Sequence, residues 1–179
     1  MKIPEELPEL SYMKKIYTLD NLVRKVDKLR KQKEENYQAK IAWTNGCFNL
    51  LHHGHVRYLS RIKPITNADF LIVGVNNNAS VIENKKGNKL IASEQARAEI
   101  IAALEFPDYV LLIGDKNMTR YLEALRPDFY VKGGDYTIDT INQPERRLVE
   151  NYGGEIVIIP AEIEVSTTKT IEQIVQKNT

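Results

Sequence analysis

Cysteine is almost missing from this chain: Cys47 stands alone among 179 residues. One thiol cannot close an intrachain disulfide or build a cysteine zinc cage, and a reducing compartment fits. Net charge is missing too. Twenty-five basic residues against 24 acidic ones leave a formal +1. That removes the overall electrostatic case for nucleic acid or a membrane surface as the main partner. No apolar run approaches the roughly 20 residues a membrane helix needs. The start, Met1-Lys2-Ile3-Pro4-Glu5-Glu6, lacks the apolar core of a secretory signal. The expectation is a soluble, cytoplasmic protein. Internal repeats and low-complexity tracts are also lacking. What is present is an ordinary globular composition, 42% hydrophobic, and a length suited to one domain with a substantial core.

Residues 1–17 are proline-dotted and read as an N-terminal extension, ahead of a single domain over 18–179. A helix is expected from Leu19 to Glu35, with Asp20 as cap and Leu22, Val23, Val26 and Leu29 as its apolar stripe. Its basic face, followed by Glu34 and Glu35, reads as a solvated surface. Five apolar runs follow: Ile41–Thr44, Phe70–Val75, Tyr109–Ile113, Phe129–Lys132 and Ile156–Ile159. Unbroken runs without period-two alternation suit strands covered on both faces. Helical patterns separate and follow them, at Gly54–Ile62, Ser93–Glu105, Asn117–Leu125, Pro144–Tyr152 and Thr168–Lys177. The alternation predicts a Rossmann-like α/β fold: a parallel five-stranded sheet with helices on both faces. Ligands of such sheets sit beyond the carboxyl ends of the strands. The exits to search are therefore Thr44–His55, Asn76–Ser80, Lys132–Tyr136 and Val165–Thr170.

All three histidines fall in one of them: His52, His53 and His55, in Gly46-Cys47-Phe48-Asn49-Leu50-Leu51-His52-His53-Gly54-His55. His52 and His55 lie three apart at the start of an expected helix, so they share a side. That end also offers free backbone N–H groups and the positive end of the helix dipole. Two imidazoles beside those donors suit a polyphosphate and can stabilise charge that shifts in a transition state. Gly54 lets a nucleotide approach the backbone, and Gly46 leaves similar room at the strand exit. The competing readings are a polar surface loop and a metal site. The metal reading lacks a nearby Asp or Glu ligand, and His53, adjacent to His52, is expected to diverge from it. Cys47 reads as a small buried residue.

Gly46-Cys47-Phe48-Asn49 followed by His52-His53-Gly54-His55 resembles the first signature of the HxGH nucleotidyltransferases, the cytidylyltransferase-like superfamily. These enzymes join a nucleoside triphosphate to a phosphorylated small molecule and release pyrophosphate. Their second signature is a hydroxyl-rich helix start, here Val165-Ser166-Thr167-Thr168-Lys169-Thr170. Capping alone would account for such hydroxyls. The resemblance adds phosphate binding by Ser166, Thr167 and Thr168. It implies further phosphate contacts from Lys85 or Lys86 in the loop Asn84–Lys89, which also reads as a solvated charge run, and from Arg97 on the following helix. The bland reading of Arg97 is an exposed helix arginine.

Thr44-Asn45-Gly46-Cys47-Phe48, Val131-Lys132-Gly133-Gly134-Asp135-Tyr136, Tyr152-Gly153-Gly154-Glu155 and Ser166-Thr167-Thr168 narrow the resemblance to bacterial heptose-1-phosphate adenylyltransferases. What this implies is ATP and a phosphorylated sugar as partners and a nucleotide-activated sugar, ADP-heptose, as product. It implies Mg²⁺ held mainly by substrate phosphates, and a possible homodimer. His52 and His55 would be catalytic, with Lys85 or Lys86. Thr44, Asn45, Gly46, Cys47, Phe48, Gly54, Arg97, Lys132, Gly133 and Asp135 would bind nucleotide or phosphate. Asn49 would face the acceptor. Relatives usually carry Asp there; Asn keeps hydrogen bonding but cannot act as a base. A CTP-dependent enzyme acting on glycerol 3-phosphate is the nearest alternative. That branch tends to carry an arginine just before the hydroxyl motif, and Ile159–Val165 has none. A catalytically silent nucleotide-binding module is the alternative of another class. A nicotinamide oxidoreductase would need Gly-x-Gly-x-x-Gly after the first strand, and none follows.

Overall fold

The computed structural model describes residues 9–31, 38–84, 90–114, 118–134, 136–162 and 170. The expected helix over Thr168–Lys177 and the end of the helix expected to reach Glu35 lie outside these. A short 3₁₀ turn, Ser11–Lys15, leads into β1 (Ile16–Tyr17) and α1 (Leu19–Lys31). There follow β2 (Ile41–Gly46), α2 (His53–Thr66), β3 (Phe70–Asn76), α3 (Asn78–Asn84), α4 (Glu94–Ala103) and β4 (Tyr109–Ile113). The remainder is α5 (Thr119–Leu125), β5 (Phe129–Gly134), α6 (Gln143–Asn151) and β6 (Glu155–Pro160).

The strands form one parallel sheet in the order β1-β4-β3-β2-β5-β6. Six strands replace the expected five. The extra one, Ile16–Tyr17, pairs with Val110 and Leu111 at the sheet edge. Two residues carry no periodicity, so nothing in the pattern reveals them, and part of the segment read as an extension is built into the sheet. The helix α3 was also not expected; it occupies the exit of β3.

Successive residues of each strand feed opposite layers. Ala42, Leu71, Val73, Val75 and Val131 pack with Leu59 and Ile62 of α2 and Ala98 and Ile101 of α4. Ile41, Trp43, Ile72 and Tyr130 pack with Leu22 and Val26 of α1, Leu122 and Leu125 of α5, and Val149 of α6. Full burial of a side chain such as Leu22 contributes about 1.5–3 kcal/mol. Trp43 stacks on Tyr121 with centroids 6.1 Å apart and planes 14° apart. Opposite it, Gly74 leaves the space the indole uses: a Cβ there would lie 2.9 Å from Trp43 ring atoms.

The strand order reverses at β2, since the chain builds β3 and β4 on one side of it and β5 and β6 on the other. Pairing differs on the two sides. β2 is in register with β3 from Ile41↔Phe70 through Gly46↔Val75, but with β5 only at Ala42↔Phe129 and Trp43↔Tyr130. Beyond Trp43 the two backbones part, and a crevice opens at the switch point. Gly74→Ala should destabilise the fold by about 1–3 kcal/mol through overpacking against Trp43. Urea unfolding followed by tryptophan fluorescence measures this, with a lower midpoint at unchanged slope as the expected result.

Candidate active site

The crevice holds a cavity of about 350 Å³, within the size range of small-ligand sites. One wall is the exit of β2 and the start of α2; the other is the end of β5 with residues that end and follow β6. Of the expected site residues, Asn45, Gly46, Cys47, Phe48, His52, Gly54, His55, Lys132 and Gly133 line it. His53 is exposed and is not among the described cavity-lining residues. Lys85, Lys86, Asp135, Ser166, Thr167 and Thr168 lie outside the described residues.

His52 is the N-cap of α2, with extended backbone at φ −137° and ψ 166°. Its ring stacks on that of His55, centroids 3.8 Å apart and planes 25° apart. The backbone N–H of His52 donates to Nδ1 of His55 at 3.4 Å. A ring nitrogen that accepts is unprotonated, so neutral His55 carries its proton on Nε2. The helix cap thus sets the tautomer of the neutral His55 ring. The edge of Phe48 meets His55 at 5.2 Å and 65°. Phe48 is buried and holds φ at +46°, a left-handed conformation costing about 1–3 kcal/mol in a non-glycine residue.

Across the cavity, Lys132 donates to Oδ1 of Asn45 at 2.8 Å. Its ammonium sits 4.7 Å from the Tyr130 ring centroid and 5.8 Å from that of Tyr136. Burial pushes the Lys132 pKa down to about 8, with Glu145 opposing the shift. Glu145 is itself buried, accepting from the Tyr130 hydroxyl at 2.7 Å and from the Met118 N–H at 2.9 Å. Next to Lys132, Gly133 makes room for a ring: a Cβ there would lie 2.4 Å from Tyr58. The Tyr58 hydroxyl pairs with that of Thr44 at 2.7 Å. Burial raises the Tyr58 pKa far above the usual phenol value, so it stays neutral. Thr44, expected to bind nucleotide, is itself buried and fastens α2 to β2.

Two other expected contacts also turn inward. Asn49 is 3% exposed, and its Oδ1 accepts from the Ile91 N–H at 3.0 Å. Arg97 is 1% exposed, against the reading of an exposed helix arginine. Its Nε donates to Ala92 O at 3.2 Å, Nη1 to Cys47 O, and Nη2 to Asn78 Oδ1 at 3.0 Å. Desolvation lowers its pKa, partly offset by electrostatic interaction with Cys47 and Glu94.

The cavity also has residues that sequence reasoning missed. Arg57, Tyr58 and Arg61 line it from α2. They lie three, four and seven positions after Gly54, one helical stripe that projection of the helix would have revealed. Glu162, just past β6, pairs with both arginines, 3.5 Å from Arg57 Nε. No local signal places Glu162 there. Among the described residues no group of three or more His, Cys, Asp or Glu could hold a metal ion, and Glu162 is the one carboxylate in the described cavity wall.

An α/β sheet whose switch-point crevice receives a helix start, paired imidazoles and a half-buried lysine has the chemistry that suits a phosphorylated small molecule. The chain belongs to the cytidylyltransferase-like family, whose profile matches residues 43–173. It is 40% identical over 160 residues to the bifunctional protein HldE of Syntrophotalea carbinolica, covering 88% of this chain and 32% of that protein. With the bifunctional protein HldE of Geobacter sulfurreducens it shares 39% over 143 residues, 80% of this chain and 28% of that one. The chain thus spans about a third of the length of these relatives. Among solved structures, the lipopolysaccharide core biosynthesis protein of Thermoplasma volcanium has the same fold. Its TM-score is 0.57 at 24% identity, over 70% of this chain and 98% of that one.

Lys132 gives a test of the cavity electrostatics. Between about pH 8 and its ordinary 10.5, the unfolded chain keeps the lysine proton while the folded chain loses it. Stability therefore rises with pH across that window on account of this residue. The difference in unfolding free energy between the natural protein and Lys132→Met should change in that direction from pH 7.5 to about 10, measured by urea titration at each pH. A flat difference would show that the ammonium is solvated.

Proposed function

We propose that this domain is a nucleotidyltransferase that joins ATP to a sugar phosphate, with heptose 1-phosphate as the preferred acceptor. An ionised phosphate oxygen of the acceptor attacks the α-phosphorus of ATP. The new phosphorus–oxygen bond forms as the bond from the α-phosphorus to the bridging oxygen breaks. Pyrophosphate leaves, and ADP-heptose remains. The attacking oxygen carries no proton, so neither a general base nor a covalent enzyme intermediate is needed. Catalysis is then positioning and charge stabilisation.

The observation that carries this reading is the His52–His55 pair at the start of α2, facing a cavity with Lys132 opposite. The Nε2–H of His55 would donate to the triphosphate. The backbone N–H groups at the helix start would take up further phosphate oxygens. Lys132, held by Asn45, would add positive charge while protonated. Lys85 or Lys86, Asp135 and the hydroxyls of Ser166, Thr167 and Thr168 complete the set by resemblance to the family. Mg²⁺ would neutralise charge on the phosphates, and they would hold it, since Glu162, the one carboxylate among the described cavity-lining residues, is engaged by two arginines. The site of such chemistry is the ATP-containing cytoplasm, and a homodimer belongs to the same reading.

A pyrophosphate-release assay pairing ATP or CTP with heptose 1-phosphate or glycerol 3-phosphate tests the proposal. Turnover is expected with ATP and heptose 1-phosphate. His55→Ala should lower kcat/KM about 100- to 1,000-fold, the effect of removing one transition-state donor. Activity with CTP alone would reject the nucleotide. ATP binding without turnover, indifferent to His55→Ala, would mean a silent binding module.

A further inference from the structure

The turn Gly46-Cys47-Phe48-Asn49 brings the chain from β2 to the histidines, and Phe48 within it sits at φ +46°. A non-glycine residue in the left-handed region persists only where its surroundings over-determine it. Two part-buried tethers bracket Phe48. On one side the carbonyl of Cys47 accepts from Nη1 of Arg97. On the other, Oδ1 of Asn49 accepts from the N–H of Ile91. Arg97 also donates to Ala92 O and Asn78 Oδ1. The tethers therefore lock the turn to the start of α3 and to the segment entering α4. Each of the three Arg97 nitrogens donates to a protein acceptor, and Arg97 is not among the described cavity-lining residues.

The turn in turn sets an imidazole. The Phe48 ring lies over Gly46, where a Cβ would come within 3.1 Å of it. From there its edge meets His55. His55 is held by that edge, by the His52 ring and by the N–H on its Nδ1. The first of these depends on the turn.

We propose that Asn49 and Arg97 are positioning residues that touch no substrate: together they hold Phe48 in the left-handed turn that sets His55 against the incoming phosphate chain. The kinetic consequence rests on the nucleotidyltransferase reading; the effect on His55 does not. The claim also explains why Asn serves at position 49. An amide and a carboxylate offer the same acceptor oxygen to Ile91, and no charge is required.

Two measurements on the full chain test it: kcat with the dissociation constant of ATP, and the ¹⁵N spectrum of the histidine rings. Asn49→Ala should lower kcat about tenfold to a hundredfold, as expected for a misplaced reacting group. ATP affinity should change less than about threefold. The acceptor-type Nδ1 signal of His55 should give way to mixed tautomers. Asn49→Asp should rescue both. Arg97→Lys, which keeps the buried charge but not the threefold grip, should repeat the losses and serves if Asn49→Ala does not fold. The proposal is overturned if Arg97→Lys weakens ATP binding tenfold or more while kcat holds, since Arg97 would then be a phosphate ligand. Should the natural protein turn over no substrate pair, the reaction assignment falls alone. The ring spectra still decide the positioning claim, and an unchanged His55 in both variants would sink it.

Discussion

Beyond Trp43, β2 and β5 stop sharing backbone hydrogen bonds, and the parting of these two strands makes a ligand cavity in an otherwise continuous sheet. A fully paired parallel sheet buried on both faces leaves no room for a polar ligand. Here the topology forces the break. The chain turns back at β2, so the connections after β2 and β5 leave towards opposite sides. The helix start of α2, the lysine of β5 and the residue after β6 all face the gap this creates.

The groups around the gap are placed at a cost that other parts of the fold offset. Lys132 is buried enough to hold its proton weakly, and its compensation is an amide oxygen and two aromatic faces. Phe48 sits in an unfavourable backbone conformation bracketed by two part-buried hydrogen bonds. Arg57 and Arg61 share a single carboxylate, Glu162, so the described cavity wall carries a net positive charge. Such a site is poised for an anionic ligand, which relieves the lysine's desolvation and uses the unspent charge. Many of the described groups stand on β2, β5 and α2, and the turn after β2 adds Phe48 to them.

Much of this was legible beforehand, for physical reasons. Strands covered on both faces must be apolar throughout, so the runs at Phe70 and Tyr109 declared themselves. Histidines crowded beside a glycine after such a run marked a helix start. Less legible was anything resting on a contact between distant segments. Ile16–Tyr17 becomes a strand because the edge of β4 is there to receive it. Arg97 looks like a surface arginine in its own helix, and the carbonyls of Cys47 and Ala92 and the amide oxygen of Asn78 draw it inside. Asn49 reads as a ligand contact, and no local pattern shows that its Oδ1 also meets the Ile91 N–H.

The order of residues alone determined the layered α/β architecture and the clustering of the imidazoles, because both follow from local periodicity and from neighbours a few positions apart. It also determined which residues could meet a phosphate at a helix start. Tertiary structure alone decided which of the polar candidates face the cavity and which serve as struts behind its wall. It brought Glu162 to Arg57 and Arg61, separated by about a hundred residues. The reason is that a side chain's partner is set by the register and crossing of elements remote in sequence, which no local pattern encodes.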